Sequence, residues 1–366
     1  MPGERMGRFG FIIHPLSARE DVARRYPIAR FLPESVIEWR LKSMKPQLVS
    51  HITGVEGADG ARAEGWFGGC PLTARQMLRL EPGLVIGRII QTGRLLEDAG
   101  ARVIGLGAFT AVVGDAGISI DRALDAAVTT GNTYTVATAV QGALEAAAMM
   151  GHDPAQCTAA VVGAAGSIGR VCAQMLSEVV PSLILVGLQT DRLEEVAAEL
   201  PGKAKAAVSR DPDAALPTAD ILVTVTSAVD AVIRPEHLKP GAVVCDVSRP
   251  RDVSRQVARQ RRDVLVIEGG VVSVPGNVDF GFDFGFPPKT SYACMAETMI
   301  LALEGRYEPF SLGRDLSLEK VREISALAEK HGFRLAGFRS FERAVTPEQI
   351  ETARALAEKA RRGRAA

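Results

Sequence analysis

"TAAVVGAAGSIGRVCAQMLSEV", residues 158–179, decides how this chain is read. An apolar run meets a glycine turn, and the turn opens a helical pattern. Gly163, Gly166 and Gly169 follow the spacing G-x-x-G-x-x-G. Glycines so placed allow a tight turn and bring backbone N–H groups close to a pyrophosphate. The helix that starts with Ser167 and Ile168 then favours the anion. A plain glycine-rich turn is the alternative reading; the strand before and the helix after favour a dinucleotide site.

The surroundings keep the same rhythm. "LILVGL" (183–188), "KAKAAV" (203–208), "ADILVTVTSA" (219–228), "GAVVCDVS" (241–248) and "DVLVIEGG" (263–270) read as strands, with helical segments between them. Strands alternating with helices predict a parallel sheet wound on both faces. Thr226, Ser227 and Ala228 end the fourth strand, and Gly269 and Gly270 end a later one. Both sets fall at the carboxyl edge, where ligands sit in open α/β sheets; ordinary strand-to-loop turns explain them equally well. The second strand runs into "GLQTDRL" (187–193). No acid occupies 187–190, and Thr190 and Arg192 suit a 2′-phosphate, while Asp191 points the other way. NADPH is therefore the expected cofactor, with NADH the alternative.

Upstream, "RFGFIIH" (8–14), "QLVSHITGV" (47–55) and "ARAEGWFGG" (61–69) read as strands among helices such as "ESVIEWRLKSM" (34–44). Downstream, the last 60 or so residues are mainly helical. The expected fold is α/β: a doubly wound parallel-sheet dinucleotide-binding domain (131–290), an N-terminal α/β substrate domain (1–130) and C-terminal helices (291–366).

Composition bounds the function. Lys plus Arg equals Asp plus Glu, 43 each, so a dedicated nucleic-acid binder is not expected. No run approaches the ~20 apolar residues of a membrane span, and no secretory signal is visible, so a cytoplasmic location is expected. The five cysteines form no C-x-x-C pair and the five histidines have no metal spacing, so no metal site is expected.

One cysteine stands apart. In "SYACMAETMILALEG" (291–305) an apolar helix ends at Gly305, and Ser291 or Thr290 is the natural cap. With Ser291 as the cap, Cys294 is the third helical residue. A helix start and the nearby Lys289 would lower the thiol pKa, although a lone helix cysteine often merely packs. Glu297 reads as a proton carrier or, more blandly, as a carboxylate stabilising the helix dipole. Asn132 and Thr133 in "TTGNT" (129–133) read as groups that orient a carbonyl or carboxamide, or as simple caps. Phe280, Phe282, Phe284 and Phe286 read as an apolar lining or as packing. His331 reads as a cap at a helix end.

Taken together, "FGFIIHPLS", "GLGAFTAVV", "TTGNTYT", "VVGAAGSIG", "ACMAETMILALEG" and "EKHGF" resemble the long-chain acyl-(acyl-carrier-protein) reductases of cyanobacterial alkane synthesis. The resemblance covers roughly residues 8–335. It implies that Cys294 accepts the acyl group as a thioester, which NADPH reduces to a fatty aldehyde. It further implies an acyl carrier protein or acyl-CoA as donor, and a downstream enzyme that consumes the aldehyde. Tyr134 replaces the family's histidine, and Gly187 and Leu188 replace an alanine–arginine pair. An acidic carrier protein needs a basic dock, for which "ARR" (23–25), "RLK" (40–42) and "KARRGR" (359–364) are candidates. The rival readings are a non-covalent dehydrogenase of a small hydroxy or keto acid, and a non-catalytic dinucleotide-binding protein.

Overall fold

The computed structural model describes residues 6–228, 230–248, 251–314, 316–341 and 343–365. Contacts divide the chain into two units. Unit 1 holds the described residues of Met1–Tyr134, Val272–Asp315 and Glu323–Arg334. Unit 2 holds those of Thr135–Val271, Leu316–Arg322 and Leu335–Ala366.

Unit 1 is built on a six-stranded sheet. Strands β1 (Gly7–Ile13), β2 (Gln47–Glu56), β3 (Arg62–Gly69), β4 (Val103–Leu106) and β5 (Ala127–Thr129) are joined by a later strand, Gly276–Asp279. Their order is Gly276–Asp279, β2, β3, β1, β4, β5. β1 runs parallel to both β3 and β4, and β2 folds back antiparallel on β3. A parallel centre must be covered on both faces, and β1 shows how. Side chains alternate across a strand, so Gly7 and Gly10 face opposite ways. A side chain on Gly10 would strike Leu96, 2.9 Å away, on the helix Pro82–Asp98. One on Gly7 would strike the Ala302 carbonyl, 2.2 Å away, on the helix Ala293–Leu303. The helix that carries Cys294 is therefore one of the two layers of this sheet.

That placement corrects the linear division of the chain. The segment 291–366 is not one region: the cysteine helix belongs to unit 1, while the tail helix Pro347–Ala365 belongs to unit 2. The residues 131–134 also fall in unit 1. A chain that returns to an earlier sheet leaves no mark of the return in local sequence pattern.

Unit 2 matches the predicted architecture. Strands β6 (Thr158–Val162), β7 (Ser182–Val186), β8 (Lys205–Ser209), β9 (Ile221–Thr224), β10 (Val243–Asp246) and β11 (Leu265–Glu268) form one sheet. The order is β11-β10-β9-β6-β7-β8, and each neighbouring pair runs parallel. The order reverses between β6 and β9, the crevice where dinucleotides bind in such sheets. The central strands β9 and β10 are wholly buried, while the edge strand β8 is exposed over its first three residues and starts on Lys205, a charge that discourages further pairing.

His331 does more than close a helix. It ends the helix Leu318–His331 and is fully buried. Its Nδ1 lies 3.1 Å from Asp59 Oδ1, in the β2–β3 turn, and its Nε2 lies 2.7 Å from Glu304 Oε1, at the end of the cysteine helix. The ring thus ties three distant segments of unit 1. His331→Leu should lower stability by about 2–4 kcal/mol, because two carboxylates lose the group between them. Denaturant unfolding of the variant checks this; a loss below about 0.5 kcal/mol would leave the ring as mere filling.

Candidate functional site

The strand Thr290–Tyr292 runs directly into the cysteine helix, Ala293–Leu303. The cap is therefore Tyr292, not Ser291 or Thr290, and Cys294 is the second helical residue rather than the third. Both hydroxyls are used elsewhere: Thr290 Oγ1 donates to the Pro287 carbonyl at 2.7 Å, and Ser291 Oγ to the Tyr292 carbonyl at 3.2 Å. The helix start carries no side-chain cap. Its positive end lies in the turn that carries Cys294.

Every residue of this helix is buried except Cys294, which is half-buried. The other four cysteines are buried. Burial pushes the thiols of Cys70 and Cys172 up to about 12 and that of Cys157 up to about 11. Such thiols hold almost no thiolate near neutrality.

Gly131 lies against the cysteine. Its φ is +74°, and a Cβ there would fall 2.3 Å from Cys294 Cα. Neither the backbone angle nor the space admits a side chain. Glu297, one helical turn beyond Cys294, holds this loop in place. It is fully buried and accepts from Thr129 Oγ1 (2.5 Å), Ser311 Oγ (2.7 Å), the Tyr134 N–H (2.9 Å) and the Thr133 hydroxyl. Glu297 is thus a structural anchor, outside the first turn and fully engaged, rather than a proton carrier or a dipole partner. Thr133 spends its hydroxyl proton on that anchor. Asn132 is the first residue of the helix Asn132–Met149 and is half-buried. Tyr134 is buried, and burial raises its phenol above the ordinary value.

A ladder of rings leads to the same helix start. Phe67 contacts Phe280 (6.1 Å between centroids) and Phe284 (5.5 Å), Phe284 stacks on Phe286 (5.3 Å), and Phe286 meets Tyr292 (4.4 Å). The rings of Phe284, Phe286 and Tyr292 are only half-buried.

In unit 2 the three motif glycines have separable tasks. Gly163 has φ +86°, and a Cβ there would lie 2.5 Å from the Val225 carbonyl, so the β6 and β9 loops touch. Gly169 packs under Gly163, whose carbonyl a Cβ would meet at 2.2 Å. Gly166 is exposed, with only one atom within 4 Å of where its Cβ would be. It starts the helix Ser167–Ser177 without a side-chain cap. The Gly166 N–H is spent on the Gly163 carbonyl at 3.0 Å, so an anion in this cradle would meet the first-turn N–H groups of Ser167, Ile168 and Gly169 at an uncapped helix start. Arg192 stands exposed in the first turn of the helix Thr190–Ala198, beside Asp191.

The β9 loop has a role that sequence reading missed. Asp252, fully buried, accepts from the hydroxyls of Thr224, Thr226 and Ser248, each at 2.5 Å, and from the Thr226 N–H at 2.9 Å. Thr226 is turned inward to this knot, whereas Ser227 is exposed and Ala228 half-buried. Gly269 and Gly270 follow β11, and Gly270 has φ +76°. The hint was "DVSRPRD" (246–252), in which acids flank a serine just past a strand.

Comparison with known proteins fits this geometry. Residues 145–268 match the family described as Shikimate / quinate 5-dehydrogenase. Over 347 residues the chain is 31% identical to the long-chain acyl-[acyl-carrier-protein] reductase of Synechococcus elongatus, covering 89% of this chain and 98% of that protein. The chain belongs to that reductase's family. It is also 32% identical over 357 residues to aminotransferase PigE of Serratia sp., covering 94% of this chain but only 41% of PigE's length. Among solved structures, glutamyl-tRNA reductase of Methanopyrus kandleri is 18% identical, with TM-score 0.32, over 79% of this chain and 62% of that one. L-tryptophan dehydrogenase of Nostoc punctiforme is 14% identical, with TM-score 0.39, over 98% of this chain and 89% of that one. Unit 2 carries the parallel-sheet α/β fold of dinucleotide-binding dehydrogenases. No helix among the described residues is long and apolar enough to cross a membrane.

Gly166→Val should abolish dinucleotide binding while the protein stays folded, because the branched side chain fills the cradle. Calorimetry with NADPH and NADH reads this directly. Affinity within about threefold of wild type in a folded variant would remove the cradle from the cofactor site.

Proposed function

We propose that the chain is an NAD(P)H-dependent reductase of fatty acyl thioesters that releases a fatty aldehyde through a cysteine-bound acyl intermediate. The observation that carries this reading is the one half-exposed residue of an otherwise buried helix: Cys294, at an uncapped helix start. Thiolate is favoured there by the helix end. The Cys294 sulfur attacks the carbonyl of an acyl carrier protein thioester or acyl-CoA, and the donor thiol leaves. A reduced nicotinamide, when bound, would supply the hydride that the acyl carbon accepts. The hemithioacetal alkoxide so formed on Cys294 collapses to a carbonyl as its carbon–sulfur bond breaks, releasing aldehyde and the Cys294 thiolate. Gly131 admits the acyl carbonyl beside the sulfur, Asn132 orients it, and the half-buried rings of Phe284, Phe286 and Tyr292 line the acyl chain.

NADPH is the preferred donor of electrons. Exposed Arg192 serves its 2′-phosphate in the absence of an acid at 187–190, though Asp191 opposes it. The enzyme is cytoplasmic, and its aldehyde passes to an aldehyde-consuming enzyme.

The helix Glu34–Ser43 supports a carrier-protein dock. It buries Ile37 and Leu41 and exposes Trp39 (71%), Arg40 and Lys42, next to Phe31 (86% exposed). The other basic stretches serve less well. Arg24 is shared between Asp21 (3.7 Å) and Asp283 (3.8 Å), and the Arg25 side chain lies outside the described residues. In the tail, Arg361 donates to the Pro240 carbonyl at 3.3 Å. Reversing charge at Arg40 and Lys42 should raise KM for acyl carrier protein substrates about tenfold and leave KM for acyl-CoA within about twofold. Equal effects on the two donors would remove the dock.

Cys294→Ser tests the mechanism. The variant should fold and bind dinucleotide, yet form no acyl adduct by intact mass and lose aldehyde formation by about 10³-fold or more. Wild-type protein given acyl-CoA without NADPH should accumulate the adduct. Near-normal turnover in Cys294→Ser would return the reading to a non-covalent dehydrogenase.

A further inference from the structure

The N-terminal edge of the unit 2 sheet, away from the glycine loop, gathers three donors that the proposed reaction does not use. His152, Cys157 and Asp220 each bring one ligand atom within 4.8 Å of the others. Cys157 directly precedes β6 and Asp220 directly precedes β9, its parallel neighbour. His152 comes from the turn after the helix Asn132–Met149. We infer that these three side chains form a binding site for a thiophilic divalent cation of the zinc class, in competition with the Lys239 ammonium.

The donor set is that of zinc: a thiolate, an imidazole nitrogen and a carboxylate oxygen. Tetrahedral ligands at zinc distances lie about 3.3–3.8 Å apart, so closing the cluster needs shifts of about 1 Å. His152 Nδ1 is already 3.8 Å from Asp220 Oδ1. The histidine is also held in the required form. Its Nε2 is 2.7 Å from the Gly241 carbonyl, which only accepts, so Nε2 carries the proton and the Nδ1 lone pair faces the cluster. Zinc-binding histidines are commonly oriented through such a second bond. The carboxylate is likewise fixed, with Asp220 Oδ2 accepting the Thr158 N–H at 2.9 Å.

A cation already sits at the cluster. Lys239 Nζ is 2.6 Å from Asp220 Oδ1 and 3.1 Å from the Thr218 carbonyl. The Lys239 side chain is 28% exposed, so its ammonium has a path to water. The Cys157 thiol donates to the Asp153 carbonyl at 3.1 Å. Binding one dication therefore moves one ammonium to solvent and releases one thiol proton to solvent. Sulfur, nitrogen and oxygen each give one bond, and water completes the shell. The sequence carried no sign of this: a His-x₄-Cys pair is no standard spacing, and Asp220 lies 62 positions after Thr158, to which it is bonded.

Cobalt(II) added to the full-length protein is the probe. One equivalent should bind with a thiolate-to-metal charge-transfer band in the near ultraviolet, and zinc(II) should displace it. Cys157→Ser should lose the band and Cys294→Ser should keep it. Lys239→Met removes the competitor without touching a donor and should tighten cobalt binding about tenfold. Two results would overturn the inference: a band that follows Cys294 or Cys70, or a Lys239→Met variant that is folded and binds cobalt no more tightly than wild type. The Lys239 arm stands even where Cys157→Ser does not fold.

Discussion

Unit 1 depends on a single buried carboxylate. Glu297 sits in the middle of a helix with no access to water, a costly place for an acid without partners. Four donors from three stretches of chain meet its two oxygens, the number that a carboxylate is built to accept. The arrangement joins the end of β5, the start of the helix Asn132–Met149 and the Ser311 loop to the cysteine helix. Gly131 is consequently pressed against Cys294, which stays half-buried. A helix whose remaining surface is apolar would bind its sheet as well but would not set this loop.

Unit 2 solves a similar problem with Asp252. Three hydroxyls and one backbone N–H converge on it just beyond the carboxyl ends of β9 and β10. The knot holds the β9 loop against Gly163, and so shapes one wall of the crevice in which the cofactor is expected. Both units thus use an unexposed acid to freeze a loop of small residues. Beside those loops lie half-buried Cys294 in one unit and exposed Gly166 in the other, the two positions on which the proposed chemistry rests.

Unit 2 was legible in the sequence because its signals are local. Each βαβ repeat announces its strand, turn and helix within about 30 residues, and the glycine motif marks the first crossover. Unit 1 was legible as strands and helices but not as a sheet, since Gly7 meets Ala302 and β2 meets residues beyond 275. The helix cap was misplaced because Thr290–Tyr292 is a strand, and pairing with distant residues outweighed the capping tendency of Ser291. The anchors Glu297 and Asp252 were hidden for the same reason. An acid reads as surface, dipole or catalyst until its partners are known, and Thr129 lies 168 residues from Glu297.

The return of residues 272–334 to the first unit also sets a schedule. Strand β1 leaves the ribosome well before its partner layer, for one of its faces waits for a helix that begins at Ala293. At about 5–20 residues per second, that delay is on the order of 15–60 s. Throughout it, Phe9 and Phe11 lack the layer that buries them in the finished unit. Nascent chains therefore carry an uncovered aromatic sheet face throughout that interval, a natural client surface for a holding chaperone.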